Sequence, residues 1–130
     1  MDFEIDHDKI KEGFIGEAIV RDYLKKKGCK FTQIDAMAKY NNKWYSIEIK
    51  HQEMYKAPPF DGHGLPDYQV KMRLLLYKEK GIIPLFFVLD KITKKLYYNS
   101  LINLEQGKKY LTKNKGRVVY PLENFIELKY

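Results

Sequence analysis

The stretch Gln33-Ile34-Asp35-Ala36-Met37-Ala38-Lys39-Tyr40-Asn41-Asn42-Lys43-Trp44-Tyr45-Ser46-Ile47-Glu48-Ile49-Lys50 decides the fold. Apolar and polar residues alternate on both sides of Asn41-Asn42, which is the period of a half-buried strand. Asparagine tolerates positive φ, so Asn41-Asn42 suits a two-residue hairpin turn. Two strands are expected, over 30–40 and 43–51. With Tyr40 facing Lys43, cross-strand partners have numbers that sum to 83. One face then carries Ile34, Ala36, Ala38, Tyr45, Ile47 and Ile49, and is a core face. The other carries Gln33, Asp35, Trp44, Ser46, Glu48 and Lys50, with Asp35 opposite Glu48 and Gln33 opposite Lys50. Directly opposed carboxylates lie about 4.5–5.5 Å apart at Cβ and repel. A divalent cation would relieve that pair, because Mg²⁺ is typically held by one or two carboxylates plus substrate phosphates.

Upstream, residues 8–27 predict a helix, capped by Asp6 or Asp8 and stopped at Gly28. Ile10, Gly13, Phe14, Ala18, Val20 and Leu24 cluster on one side of it, with Glu17 in the middle of the stripe. A carboxylate on an apolar face is costly without a partner. Either Glu17 pairs with Arg21 one turn on, or it points toward Asp35 and Glu48. Downstream, residues 52–66 hold Pro58, Pro59, Gly62, Gly64 and Pro66 and predict a long irregular loop. Leu65-Pro66-Asp67 opens a second helix over 67–80 and Gly81 closes it, with Met72, Leu75, Leu76 and Tyr77 as core. The continuous apolar run Ile82–Leu89 predicts a buried central strand with Pro84 near its start. A turn at 90–94 leads to a strand at 96–99, and short elements at 117–120 and 125–128 close the chain. The order α-β-β-α-β-β plus a tail predicts an α/β fold with a central mixed β-sheet flanked by helices.

The chain of 130 residues suits one domain, 1–130. Its 45% hydrophobic and 15% aromatic content excludes a disordered protein. One cysteine excludes a disulfide framework and a thiolate zinc site. No apolar run approaches the roughly 20 residues that span a bilayer, and the acidic start is not a signal peptide, so a cytoplasmic protein without a membrane partner is expected. The net charge is +7, and only Arg21, Arg73 and Arg117 among the 24 cations are arginine. Lysine suits phosphates where arginine reads guanine edges, so the balance favours backbone recognition of nucleic acid; a solubilising surface accounts for the charge equally well. Lys108, Lys109, Lys113, Lys115 and Arg117 form a run without an acid, which is either a solvated surface or a phosphate-binding arm. His51 and His63 have no zinc-ligand spacing. His63 is expected on the flexible loop, as a plain turn residue or a substrate contact.

Lys50, two residues from Glu48 on one face, either pairs with a carboxylate or orients a metal-bound water and offsets charge on a phosphate. Glu17 on a first helix, Asp35 on a strand and Glu48-Ile49-Lys50 on the next resemble the PD-(D/E)XK nuclease superfamily, and within it most closely the Holliday-junction-resolvase type. The likeness covers roughly residues 8–90. It implies a restriction-endonuclease-like αβββαβ core with a short C-terminal extension. It implies Mg²⁺, with Mn²⁺ able to substitute, held by Asp35, Glu48, the Ile49 carbonyl and Glu17, and no small-molecule cofactor. Lys50 would position the nucleophile, and Gln69 resembles the extra glutamine beside the site. The implied activity is hydrolysis of DNA phosphodiesters, on branched DNA, by a homodimer. Contacts to DNA are expected from Lys50, Lys56, His63, Arg73, Lys108, Lys109, Lys113 and Lys115. A restriction or repair nuclease of the same superfamily and a non-catalytic nucleic-acid-binding domain are the alternatives. Two departures stand out. Ile34 occupies the place of the family's proline, and only Cys29–Ile34 separate the first helix from Asp35. The first core strand must therefore be very short, or fused with the strand of Asp35.

Overall fold

The computed structural model describes residues 37–114 and 116–130, together with Ile19, Tyr23, Lys26, Lys27, Lys30 and Phe31. Ile19, Tyr23 and Lys26 are helical, in the expected first helix, and the Lys27 N–H donates to the Tyr23 carbonyl at 3.2 Å. The strands are β1 (Lys30–Phe31), β2 (Met37–Tyr40), β3 (Lys43–Gln52), β4 (Gly62–Pro66), β5 (Ile83–Asp90), β6 (Leu96–Ser100), β7 (Tyr110–Leu111), β8 (Arg117–Pro121) and β9 (Ile126–Leu128). Helix α1 spans Asp67–Lys80 and α2 spans Leu101–Glu105.

The hairpin folds as its residues dictate. Asn41 and Asn42 take φ of 50° and 63°, the left-handed pair that a type I′ turn requires. Met37 then faces Ser46, Ala38 faces Tyr45, Lys39 faces Trp44 and Tyr40 faces Lys43, so the sum of 83 holds along the paired strands. The expected strand over 30–40 is instead divided. Its first part, β1, is a separate two-residue strand antiparallel to β2, with Lys30 opposite Lys39.

A six-stranded mixed sheet runs β1-β2-β3-β5-β6-β9. Strands β3 and β5 are parallel, from Tyr45 beside Ile83 to Gln52 beside Asp90, and every other pairing described in this sheet is antiparallel. Strand β5 explains the unbroken apolar run. Its alternate residues Phe86 and Val88 join one core while Phe87 and Leu89 join the other, so both faces of the strand are covered. Pro84 sits second in the strand, where its missing N–H costs little. Ala38, Ile47 and Leu96 complete the second core, with Ile19, Tyr23, Tyr45 and Ile49 packed on it. Of the expected core face of the hairpin, Ala38, Tyr45, Ile47 and Ile49 are found there and Ile34 and Ala36 lie outside the described residues; Ile19 and Tyr23 of the first helix pack against it. Helix α1 ends as expected, with Gly81 at φ 70° returning its N–H to the Tyr77 carbonyl.

Three expectations are corrected. The segment 52–66 is not one irregular loop. Gln52 ends β3, and β4 is a buried strand antiparallel to β8 in a second sheet, β4-β8-β7. Gly62 and Gly64, which argued for a loop, are there because a Cβ would strike the backbone of Tyr120 and Val118 across the ladder. The C-terminal residues are not an appended tail, since β8 is central to the second sheet and β9 closes the edge of the first. Met72 is 67% exposed, and Leu75 and Tyr77 are also exposed; the side of α1 that carries Val70 and Leu74 faces the core instead.

Candidate functional site

On β3, Trp44, Ser46, Glu48 and Lys50 share the face opposite Tyr45, Ile47 and Ile49, as strand parity requires. Helix α1 covers this face. Its Arg73 Nη2 donates to Glu48 Oε1 at 2.9 Å, and Lys50 Nζ lies 3.5 Å from Glu48 Oε2. The three side chains are 17%, 25% and 14% exposed for Arg73, Lys50 and Glu48 respectively, so the cluster is largely withdrawn from water. Sequence reasoning assigned Arg73 to a phosphate and missed its reach to Glu48, because the contact spans 25 residues and depends on how α1 lies across β3.

Two buried oxygens on these same elements lack partners. Ser46 Oγ is two residues before Glu48 on β3, and Gln69 Oε1 is one turn before Arg73 on α1. Buried polar atoms are nearly always satisfied, so an orphaned pair calls for an explanation, and an absent ligand or water is one. Together, one carboxylate, one amide oxygen and one hydroxyl supply the hard oxygen donors that Mg²⁺ takes. The described donor set is incomplete, however. Among the described residues no three His, Cys, Asp or Glu side chains are grouped as metal ligands. Both oxygens of Glu48 are met by cations, so a metal ion must compete with Arg73 or Lys50. Asp35 and Glu17 lie outside the described residues, as does the expected pairing of Asp35 with Glu48. Ile49 is partly buried and packs on the second core.

The expected phosphate contacts are scattered. Lys56 is exposed between β3 and β4, and Lys108 and Lys113 are exposed on either side of β7. Lys109 Nζ is 2.7 Å from Glu105 Oε1, in an i,i+4 pair that the acid-free appearance of the run concealed. Glu105 Oε2 in turn accepts from the buried Tyr120 hydroxyl at 2.6 Å, and that bond together with burial raises the phenol well above its ordinary value. Lys115 lies outside the described residues.

His63 is corrected in place. It lies in β4 with 0% exposure, its Nε2 donating to Asp90 Oδ2 at 3.2 Å and its Nδ1 3.1 Å from Gln52 Oε1. The Gly64 N–H also donates to Gln52 Oε1, and Asp90 Oδ1 accepts from the N–H groups of Ile92 and Thr93. Gln52 and Asp90 are the last register pair of β3 and β5, so this buried network ties β4 to the carboxyl ends of the parallel strands. Burial lowers the imidazole pKa, against the pull of Asp90. Asp90 is also lowered, because the two backbone N–H groups and His63 outweigh its desolvation. Asp90-Lys91-Ile92-Thr93 carried a sequence signal for its half of the network, an aspartate that caps its own turn.

A cavity of about 300 Å³ opens on the other face of the sheet, lined by Tyr23, Lys27, Tyr40, Tyr45, Phe87 and Tyr98 among others. Among the described residues that line it there is no carboxylate, and the sheet itself separates it from Glu48. No model of a known protein family matches the chain, and no curated protein matches it.

Proposed function

We propose that this protein is a metal-dependent nuclease of the restriction-endonuclease-like type, acting on DNA through its phosphates and its shape. The observation that carries the proposal is the cluster on the β3–α1 face, where Glu48 stands between Lys50 and Arg73, with an unsatisfied buried oxygen on each of the same two elements, Ser46 Oγ on β3 and Gln69 Oε1 on α1. The element order supports it too. Helical positions precede β1, β2 and β3, and α1 precedes β5, which runs parallel to β3. That is the αβββαβ order with β4 inserted. Mg²⁺ or Mn²⁺, when bound, would supply Lewis acidity and an activated water. Glu48 would hold the ion together with Asp35 and Glu17. Lys50 would orient the attacking water, and Arg73, released from Glu48, would meet the phosphate as its charge builds. The enzyme would be cytoplasmic and would work as a homodimer, since a symmetric cut in two strands needs two sites.

One observation favours a second reading. Both oxygens of Glu48 are already engaged, which suits a structural ion-pair cluster in a nucleic-acid-binding domain without turnover. A cleavage assay separates them, using a labelled four-way junction, flap, duplex and single strand with Mg²⁺, Mn²⁺ or chelator. Metal-dependent products lost in Asp35→Ala and Lys50→Ala are the expected result. Binding that is indifferent to chelator, with no products under any metal, would establish the binding domain instead.

A further inference from the structure

We propose that Trp44, at the tip of the β2–β3 hairpin, is a stacking platform for an unpaired base of the nucleic-acid strand that enters the Glu48–Lys50 face. The inference rests on the nucleic-acid reading of that face and adds how the strand is gripped. Trp44 is the single tryptophan of the chain and is 39% exposed. It shares a face of β3 with Glu48 and Lys50 and lies four residues from Glu48, about 13 Å along the strand. That separation is within the reach of a few nucleotides. Pairing with β5 begins only at Tyr45, so Trp44 and the Asn41-Asn42 turn project past the start of that neighbour. The charge around the ring suits a phosphodiester. Lys39 is the cross-strand partner of Trp44, its Nζ 5.9 Å from the ring centroid. Lysine over the indole holds the ring in place by cation–π attraction and leaves the ammonium able to meet a backbone phosphate. An exposed aromatic ring beside a cation binds bases with little regard to sequence, because every base has a π-face.

The sole tryptophan makes the test direct. The whole protein is titrated in chelator, so that no strand is cut, with labelled oligothymidine, oligouridine and a blunt DNA duplex. Tryptophan emission and the anisotropy of the label are read together. The expected result is quenching that saturates with the anisotropy for single strands and is weak for duplex. Trp44→Ala should weaken single-strand binding about 5- to 150-fold by anisotropy, the range for one stacked base, and Trp44→Tyr should restore most of it. Quenching by oligouridine alone supports the platform and overturns DNA as the substrate. Single-strand binding with unchanged emission and a wild-type affinity in Trp44→Ala overturns the platform and leaves the nucleic-acid reading standing. No binding of any strand by either measure overturns both.

Discussion

Glu48 is one carboxylate held by two cations, and the two contacts are unequal. Arg73 makes a 2.9 Å hydrogen bond, while Lys50 approaches only to 3.5 Å. A charge-assisted bond in a partly buried setting is worth more than a surface pair, so Arg73→Ala should lower stability by about 1–2 kcal/mol. The urea midpoint, at unchanged slope, is the measurement. A loss no larger than that of Lys71→Ala, whose exposed i,i+4 partner is Asp67, would mean that the Arg73 contact has no special weight. His63 carries a second prediction at this scale. Its folded pKa lies below the ordinary 6.5, with burial the main cause. Above pH 6.5 neither state binds the proton, and stability is level. Below it the unfolded chain takes up a proton that the folded chain resists, so stability falls as pH drops toward the folded value, by up to about 1.4 kcal/mol per pH unit. Asp90 contributes in the opposite range, losing its stabilisation only below its ordinary 3.8. Denaturation of wild type and His63→Gln side by side between pH 6.5 and about 5 therefore separates this histidine from Asp90 and from the other two histidines of the chain. The decline should be shallower in His63→Gln, and a wild-type curve that is flat there would show the imidazole to be protonated in the fold.

Among the elements, β4 is the one that the local sequence disguises. Gly-His-Gly-Leu-Pro has two glycines and a proline and reads as a loop, yet every residue of it pairs with β8. Strand propensity reflects side-chain packing on neighbours, and here the neighbour requires almost none at positions 62 and 64, because the two backbones nearly touch. Gly64→Ala should therefore cost more than about 3 kcal/mol or prevent folding, while Gly81→Ala, at a helix end with open space around it, should cost only the φ strain of about 1 kcal/mol. Thermal unfolding of the two variants side by side checks this. Equal losses would mean that β4 and β8 are not in close contact. What was legible in the sequence follows the same logic. The hairpin, α1 and β5 were readable because turn chemistry, capping and apolar runs are local signals. The reach of Arg73 to Glu48, the second sheet and the His63–Asp90–Gln52 network were not, because each joins segments far apart in the chain and depends on how elements pack. The Glu48–Lys50 face was legible from parity alone, whereas its burial under α1 was not.

For the whole molecule, the lysine excess has two explanations that salt can separate. A chain of net charge +7 attracts any polyanion, but only lysines that touch phosphates release counterions on binding. Each such contact steepens the fall of log K with log salt by about 0.9 for duplex DNA. Lys108 and Lys113 are exposed beside the short β7 strand, whereas Lys109 is committed to Glu105, which in turn receives the Tyr120 hydroxyl. If residues 108–113 form a phosphate-binding arm, Lys108→Gln with Lys113→Gln should weaken binding to every DNA structure alike and flatten the salt slope by nearly two units. Lys109→Gln should flatten it less, because its charge is already partly answered. The double substitution leaves a net charge of +5, and a general loss of long-range attraction, which is itself salt-dependent, would instead flatten the slope as much per charge removed in Lys109→Gln as in the double variant. Anisotropy titrations on one duplex and one four-way junction across a salt series, in chelator, distinguish the outcomes. An unaltered slope and affinity in the double variant would return the run to a solvated surface and confine DNA contact to the β3–α1 face.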